Sequence, residues 1–320
     1  MKWLCWSGFR AVSVRVVFLG TAASIPTDAR ALPSVVVRRK NEIFMFDCGE
    51  GVQRQMIRAR VGFHKKMRVF VSHMHGDHVL GLPGLLQSMS LLDRQEKLWV
   101  YGPVGIRAFV EAIQQTVQFV LTFPVEICEL GEGGIICDER EYYVEAGRTA
   151  HVIPSFGYAL VEKPRSGRFD PEKAKALGVP EGPLWSRLQH GKSVKSATGR
   201  VVKPGQVVGS SRPGLKIVYS GDTRSTTSLV KLARGADLLV HEATLMDELA
   251  DRARRDGHST PSQAARIAKK AGVKRLILTH VSARYRDVEP MLKEARKIFP
   301  ATDVAEDFMA VELEASEAVE

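Results

Sequence analysis

Within the stretch Ser72-His73-Met74-His75-Gly76-Asp77-His78 stand three imidazoles and a carboxylate, four groups that can each give an electron pair to a metal ion. They follow the apolar run Arg68-Val69-Phe70-Val71 directly, so they arrive off the end of an expected strand. Histidine is seldom packed so densely for structural reasons, because every buried imidazole needs hydrogen-bond partners of its own. A polar loop with coincidental histidines is the bland alternative. The remaining histidines favour chelation: His151, His241, His258 and His280 each stand at or beside the end of an expected strand or helix. His64 falls in a Lys-rich loop and His190 in a basic segment, where exposure or contact with a partner is expected rather than metal ligation.

His73, His75, His78, His151 and His280 together with Asp77 and Asp222 make seven candidate ligands. One tetrahedral zinc with an open position takes only three protein ligands, so seven suit two metals that share a carboxylate. Imidazole and carboxylate without thiolate fit Zn²⁺ best, with Mn²⁺ or Fe²⁺ as alternatives. Two metal ions about 3.5–4 Å apart form the arrangement used on phosphate esters, where a bridging hydroxide attacks and both metals stabilise the developing charge. Metal binding also lowers the pKa of water from about 15.7 towards 7, so no strong base is required. The expected chemistry is hydrolysis.

The elements that must present these ligands can be read from periodicity. Val12–Leu19, 34–39, 42–46, 68–71, 97–101 and 125–130 read as strands, and 135–156 as successive strands. Strands over 215–220, 237–240 and 274–279 follow, each leading to a candidate group. Helices are expected over 52–60, 84–92, 104–120, 225–234, 261–271 and 288–298. Pro261 takes the first helical position of 261–271, with Ser259 or Thr260 as cap. Asp47 suits either a helix N-cap or a carboxylate that orients a ligand. Two sheets packed face to face with helices outside, an αββα sandwich of the α/β class, account for this order. Every candidate ligand then lies at or just beyond a strand's C-terminal end, where separate loops can converge. The expected organisation is an N-terminal extension over 1–11 and one domain over 12–320, interrupted at about 162–214 by a flexible arm.

That interruption is rich in Pro, Gly and Ser, with one short helical pattern at 171–177 and no apolar periodicity sufficient for a core of its own. It also carries the charge. The whole chain has a formal net charge of +10. Between Glu162 and Lys216 twelve Lys or Arg face four acids, an excess of eight. A polyanionic partner is the expected consequence, a solvated basic loop the alternative. Cys5, Cys48, Cys128 and Cys137 are scattered without a CxxC pair, as expected of buried or incidental thiols in a reducing compartment. No apolar run approaches the roughly 20 residues of a membrane span. Residues 1–7 are apolar but soon interrupted by Arg10, too short for a secretory signal, so a cytoplasmic location without membrane contact is expected.

His73-x-His75-x-Asp77-His78, His151, Asp222 and His280 resemble, in order and spacing, the metallo-β-lactamase fold, and more narrowly the short-form ribonuclease Z family of tRNA 3′-processing endonucleases. The narrower likeness rests on His151-Val-Ile-Pro-Ser-Phe-Gly-Tyr158, on His241-Glu-Ala-Thr244, on Gly257-His-Ser-Thr260, and on a Gly-Pro segment within 177–191 similar to the family's exosite. It spans roughly 12–313. The resemblance implies that His73, His75 and His151 hold one zinc, that Asp77, His78 and His280 hold a second, and that Asp222 bridges them. It implies Asp77 as proton acceptor for the attacking water, His258 as proton donor to the departing 3′-oxygen, and Glu242 as the group that orients His258. Precursor tRNA is the implied substrate and a homodimer the implied assembly. The basic arm, with Gly182, Pro183, Leu184, Arg187, Lys192 and Lys195, is the implied RNA clamp, binding through phosphates and shape. The family's Pro-x-Lys-x-Arg-Asn loop, linked to sensing the tRNA 3′ end, is here Pro26-Thr-Asp-Ala-Arg30-Ala31; Arg30 fits, but Asp28 and Ala31 depart from it.

Three rival readings have other consequences. A metallo-β-lactamase-fold hydrolase of small phosphodiesters or other esters would share the site but not need the basic arm. An RNA-binding module with a merely structural metal would be expected to have lost a ligand, and all seven are present. A nuclease with a large inserted domain would need a long apolar insertion that the chain lacks.

Overall fold

β-Branched and aromatic residues dominate the strands, and the alternation of the sequence becomes two faces. The computed structural model describes residues 14–314; the expected N-terminal extension lies outside them, and the first strand is described only from Val14. One seven-stranded sheet runs Ala310–Leu313, Val14–Gly20, Ser34–Arg39, Glu42–Phe46, Lys66–Phe70, Leu98–Pro103, Val125–Leu130. Its first three pairings are antiparallel and its last three parallel. The second seven-stranded sheet runs Thr302–Val304, Leu276–Thr279, Leu238–Glu242, Lys216–Tyr219, Phe156–Glu162, Tyr142–Arg148, Gly134–Asp138. Its four strands from Thr302–Val304 to Lys216–Tyr219 are parallel neighbours. The expected αββα arrangement of two mixed sheets is the architecture found.

Aromatic residues fill the space between the sheets. Phe46 and Phe70 of the first sheet meet Tyr158 of the second at ring-centroid distances of 6.1 and 5.4 Å, and Phe46 meets Tyr219 at 5.7 Å. The Tyr158 hydroxyl, buried in this layer, donates to the Val71 carbonyl at 2.7 Å, as a buried phenol must find an acceptor. Outside the first sheet, the helix Gly81–Leu91 buries Leu82, Leu85, Leu86 and Met89 in one apolar cluster with Val52 and Met56 of the helix Val52–Arg58. Outside the second, Ala264, Ala265, Ile267 and Ala268 of Pro261–Ala271 pack with Leu239, Leu276 and Leu278. Thr260 caps that helix, accepting from the Gln263 amide, while the Gln263 side chain accepts from the Thr260 amide.

The described chain divides into two compact units: residues up to 139, 143–161 and 216–314, which hold both large sheets, and residues 140–142 with 162–215. The second unit corrects one expectation from sequence, because it has a small core. The helices Pro171–Ala176 and Pro183–Gln189 and the hairpin of Val194–Lys195 with Val201–Val202 bury Ala174, Val179, Leu188, Val194, Val202 and Val207 together. Phe169 and Trp185 pack on it 5.2 Å apart, and the Trp185 indole donates to the Val179 carbonyl at 3.1 Å. These residues come from two short helices, a hairpin and the turns beside them, so no single periodicity announces the core. Among the described residues no helix is long and apolar enough to cross a membrane.

Candidate metal centre

The seven candidate ligands come from the turns beyond four strand ends, and the fold brings them together. His73 and His75 follow the strand Lys66–Phe70, and a short helical turn, Gly76–Val79, then carries Asp77 and His78. His151 follows Tyr142–Arg148, Asp222 follows Lys216–Tyr219, and His280 follows Leu276–Thr279. His280 has φ of +59°, a conformation an ordinary side chain adopts only when its surroundings impose it.

Ring nitrogens face one another across the site. His75 Nδ1 lies 3.0 Å from His73 Nε2 and 3.2 Å from His151 Nε2. His78 Nε2 lies 3.3 Å from His280 Nε2, and each is 3.4 Å from Asp77 Oδ2. Asp222 Oδ2 stands between the two groups, 3.4 Å from His78 Nε2, 3.3 Å from His280 Nε2 and 3.8 Å from His73 Nε2. One proton cannot satisfy three converging nitrogens. Four ligands around zinc at about 2.0–2.1 Å would lie about 3.3–3.4 Å from one another, which is close to these separations. The donor set fits metal ions. It falls into a triad of His73, His75 and His151, a triad of Asp77, His78 and His280, and Asp222 grouped with His73 and His78.

The opposite ring nitrogens of four of the five imidazoles each meet an oxygen partner, and a carboxylate and a carbonyl fix the tautomers of His78 and His151. His78 Nδ1 donates to Asp47 at 2.6 Å, and His151 Nδ1 donates to the Gly257 carbonyl at 2.8 Å. His280 Nδ1 lies 2.7 Å from the Thr244 hydroxyl. His73 Nδ1 lies 2.9 Å from the Ser72 hydroxyl, which donates its own proton to Asp47. Such contacts aim the metal-binding nitrogen and raise its basicity. Asp47 is the hub of this layer and not a helix cap: it accepts also from the Ser72 amide and from the Tyr219 hydroxyl, both at 2.6 Å. The cap position of the next helix is taken by Gly51.

Burial pushes the pKa of His73, His75 and His151 down, leaving neutral rings with free lone pairs. His78 goes the other way: burial disfavours its charge, but Asp222 and Asp47 raise its pKa well above the usual value. Asp77 and Asp222 are held far below the carboxylate range by His78 and His280 against the opposing effect of burial. Asp47, Asp77, Asp222 and Glu242 thus form a buried or nearly buried acidic set that calls for positive charge.

Glu242 and His258 stand beside the ligands. Glu242 is fully enclosed and accepts from the backbone amides of Thr223, Thr244 and Ser259 at 3.0, 3.1 and 3.0 Å. Its Oε1 also lies 3.1 Å from His258 Nδ1, and its Oε2 accepts from the Thr244 hydroxyl at 2.7 Å. Burial lowers the His258 pKa, but Glu242 and then Asp222 outweigh it and hold the ring up at about 9. His241 is not part of this group: it is buried within Leu238–Glu242 and turns Nδ1 to the Glu242 carbonyl. His64 and His190 are exposed.

Arg30 is engaged within the fold. Its guanidinium donates to the Thr21 hydroxyl at 2.7 Å and to the Ala305 carbonyl at 2.6 Å. Asp307 accepts from Thr21, from the Ala31 amide and from Gln55, tying the loop to the first helix. The loop reaches the centre through the Ser24 amide, which donates to Asp77 Oδ2 at 2.8 Å. In the smaller unit Gly182 has φ of +135°, open to glycine alone, and Pro183 starts the helix after it. Leu184 is half-buried there, and Arg187, Lys192 and Lys195 are exposed.

Sequence reasoning gave no role to Ser72, Tyr219 or Thr244, although Ser72 lies inside the His-rich stretch and Thr244 two residues after Glu242. Proximity in sequence was the available signal for those two; Tyr219 had none.

A family model described as a beta-lactamase superfamily domain matches residues 181–281, and one described as anti-Pycsar protein Apyc1 matches 14–109. Ribonuclease Z of Methanosarcina acetivorans is 48% identical over 301 residues, 94% of this chain and 98% of that protein. Ribonuclease Z of Salinibacter ruber is 44% identical over 310 residues, covering 96% of each. The solved structure of the human short-form tRNase Z is similar with a TM-score of 0.68 at 30% identity, covering 95% of this chain and all of that one.

Proposed function

The chain belongs to the ribonuclease Z family, and from that premise we propose that it is a metal-dependent endoribonuclease. It removes the 3′ trailer of precursor tRNA by hydrolysis after the discriminator nucleotide, leaving a tRNA 3′-hydroxyl. The observation that carries this reading is the convergence of five imidazoles and two carboxylates, with ligand atoms 3.0–3.8 Å apart and the outer nitrogens of four rings each met by an oxygen partner.

His73, His75 and His151 would hold one zinc, Asp77, His78 and His280 a second, with Asp222 shared between them; Mn²⁺ or Fe²⁺ suit the same donors. Bound there, a pair of divalent cations supplies an acidified water and positive charge for the phosphate as it is attacked. The chain's own groups do the rest. Asp77 stays ionised throughout the working pH range and accepts the proton of the attacking water. His258, held protonated by Glu242, faces the departing 3′-oxygen and gives it a proton; Glu242 orients the ring through Nδ1. Ser24, through its amide to Asp77, joins the loop containing Arg30 to this centre, and Arg30 holds that loop in shape beside the 3′ end.

The unit of residues 162–215 is the RNA clamp. Arg187, Lys192 and Lys195 supply phosphate contacts, and Gly182, Pro183 and Leu184 shape the turn that presents them. Its small core means that these charges are displayed from a folded support, which lowers the ordering cost of binding. The active species is a homodimer located in the cytoplasm.

The deciding experiment incubates the protein with a 3′-extended precursor tRNA, with and without a chelator. The expected result is one cut after the discriminator nucleotide, abolished by the chelator and restored by zinc. Cleavage elsewhere, or none in the presence of metal, removes the proposal.

A further inference from the structure

The hydroxyl of Thr244 lies 2.7 Å from Glu242 Oε2 and 2.7 Å from His280 Nδ1, and the residue is 6% exposed. Both contacts are short, and only one hydroxyl proton is available. Glu242 accepts five hydrogen bonds from amides, hydroxyl and imidazole, an arrangement that requires an ionised carboxylate without a proton to give. The Thr244 hydroxyl proton therefore goes to Glu242. Its oxygen is left to accept, and the partner presented to it is the N–H at His280 Nδ1. That assignment puts the lone pair of His280 on Nε2, the nitrogen that faces His78, Asp77 and Asp222.

We propose that Thr244 is a positioning residue that carries the charge of Glu242 to His280, setting its tautomer and aim, so that one buried carboxylate orients both His258 and a ligand of the second metal. The reasoning rests on His280 being a metal ligand. Glu242 reaches His258 directly at 3.1 Å and reaches His280 through one hydroxyl. The Thr244 hydroxyl also lies 3.3 Å from His258 Nδ1, but that nitrogen has Glu242 Oε1 nearer at 3.1 Å, so replacing Thr244 removes the contact to His280 and leaves Glu242 in place against His258. The left-handed backbone of His280 makes the contact useful, since the local conformation alone does not favour this placement of the ring.

The test compares full-length wild type with Thr244→Val, Thr244→Ser and His280→Ala by zinc titration against a chelating indicator. ¹⁵N-histidine NMR of the zinc-loaded proteins reports which nitrogen carries the proton. Thr244→Val keeps shape and removes the acceptor, so one zinc equivalent should bind 10–100-fold more weakly, with the other unchanged. The His280 Nδ1–H signal should lose its hydrogen-bonded shift, and Thr244→Ser should restore both. If Thr244→Val matches wild type in both zinc equivalents and in the His280 signal, the proposal is overturned. If Thr244→Ser fails to restore them, the hydroxyl is not the cause and the proposal is likewise overturned. If His280→Ala retains both equivalents, the metal role of His280 itself is wrong and the proposal falls with it; loss of one equivalent in His280→Ala but not in Thr244→Val sinks Thr244 alone.

Discussion

Gly257→Ala separates the geometry of the site from the stability of the fold. Gly257 has φ of +86°, and a Cβ built on it would lie 2.6 Å from His151 Nδ1 and 3.2 Å from His151 Cε1. Carbon and nitrogen pack without overlap at about 3.5 Å, so the ring must retreat by roughly 0.9 Å or the loop must move with it. Retreat also strains the 2.8 Å hydrogen bond from His151 Nδ1 to the Gly257 carbonyl. Metal–ligand distances tolerate only about 0.2 Å, so the displacement should weaken binding of the ion proposed at His73, His75 and His151 by about 10–100-fold or more. The left-handed backbone adds about 1–2 kcal/mol of general destabilisation. Gly235→Ala measures that part alone, because Gly235 has φ of +65° and no atom within 4 Å of its built Cβ. The assay is zinc affinity by chelator competition beside the melting temperature of both variants. Similar melting temperatures with a metal defect confined to Gly257→Ala are expected. Equal zinc affinity in Gly257→Ala and wild type would refute the reasoning.

Asp47→Asn should cost about 2–5 kcal/mol, because Oδ2 accepts from Ser72, His78 and Tyr219 and an amide at that corner meets donors with donors; a melting temperature within a degree of wild type would contradict it. Glu242→Gln should shift the alkaline limb of the pH–rate profile downwards: His258 is raised to about 9 chiefly by Glu242 acting against burial, must be protonated to act as an acid, and so loses activity as pH rises through that value. An unmoved limb would exclude His258 as the group that titrates. Deleting residues 165–210 should raise KM for precursor tRNA far more than for a small phosphodiester, and the ends to be joined, 164 and 211, adjoin the paired backbones of Arg165 and Arg212, so a short linker closes the gap. Equal losses on both substrates would show that the unit supports the fold and not RNA binding.

Residue types and their local spacing determined much of this protein. Three imidazoles and a carboxylate at the end of an apolar run mark a cluster of metal-ligating groups, and the distant His151, Asp222 and His280 complete the seven candidate ligands. The strands Ser34–Arg39, Glu42–Phe46 and Val125–Leu130 and the helix Pro261–Ala271 are bounded where alternation, turn residues and the capping box place them. These signals are legible because each depends on neighbours a few positions away. Tertiary structure alone decided the rest. The hydrogen bond from Tyr219 to Asp47 joins residues 172 positions apart across two packed sheets, and that from His151 to Gly257 joins residues 106 apart. The core of residues 162–215 is assembled from two short helices, a hairpin and the turns between them, none of which has an apolar face long enough to show a period. Ligand identity is a property of a side chain. The aim of each ligand is set by what lies behind it, and the packing of the two sheets places those partners there.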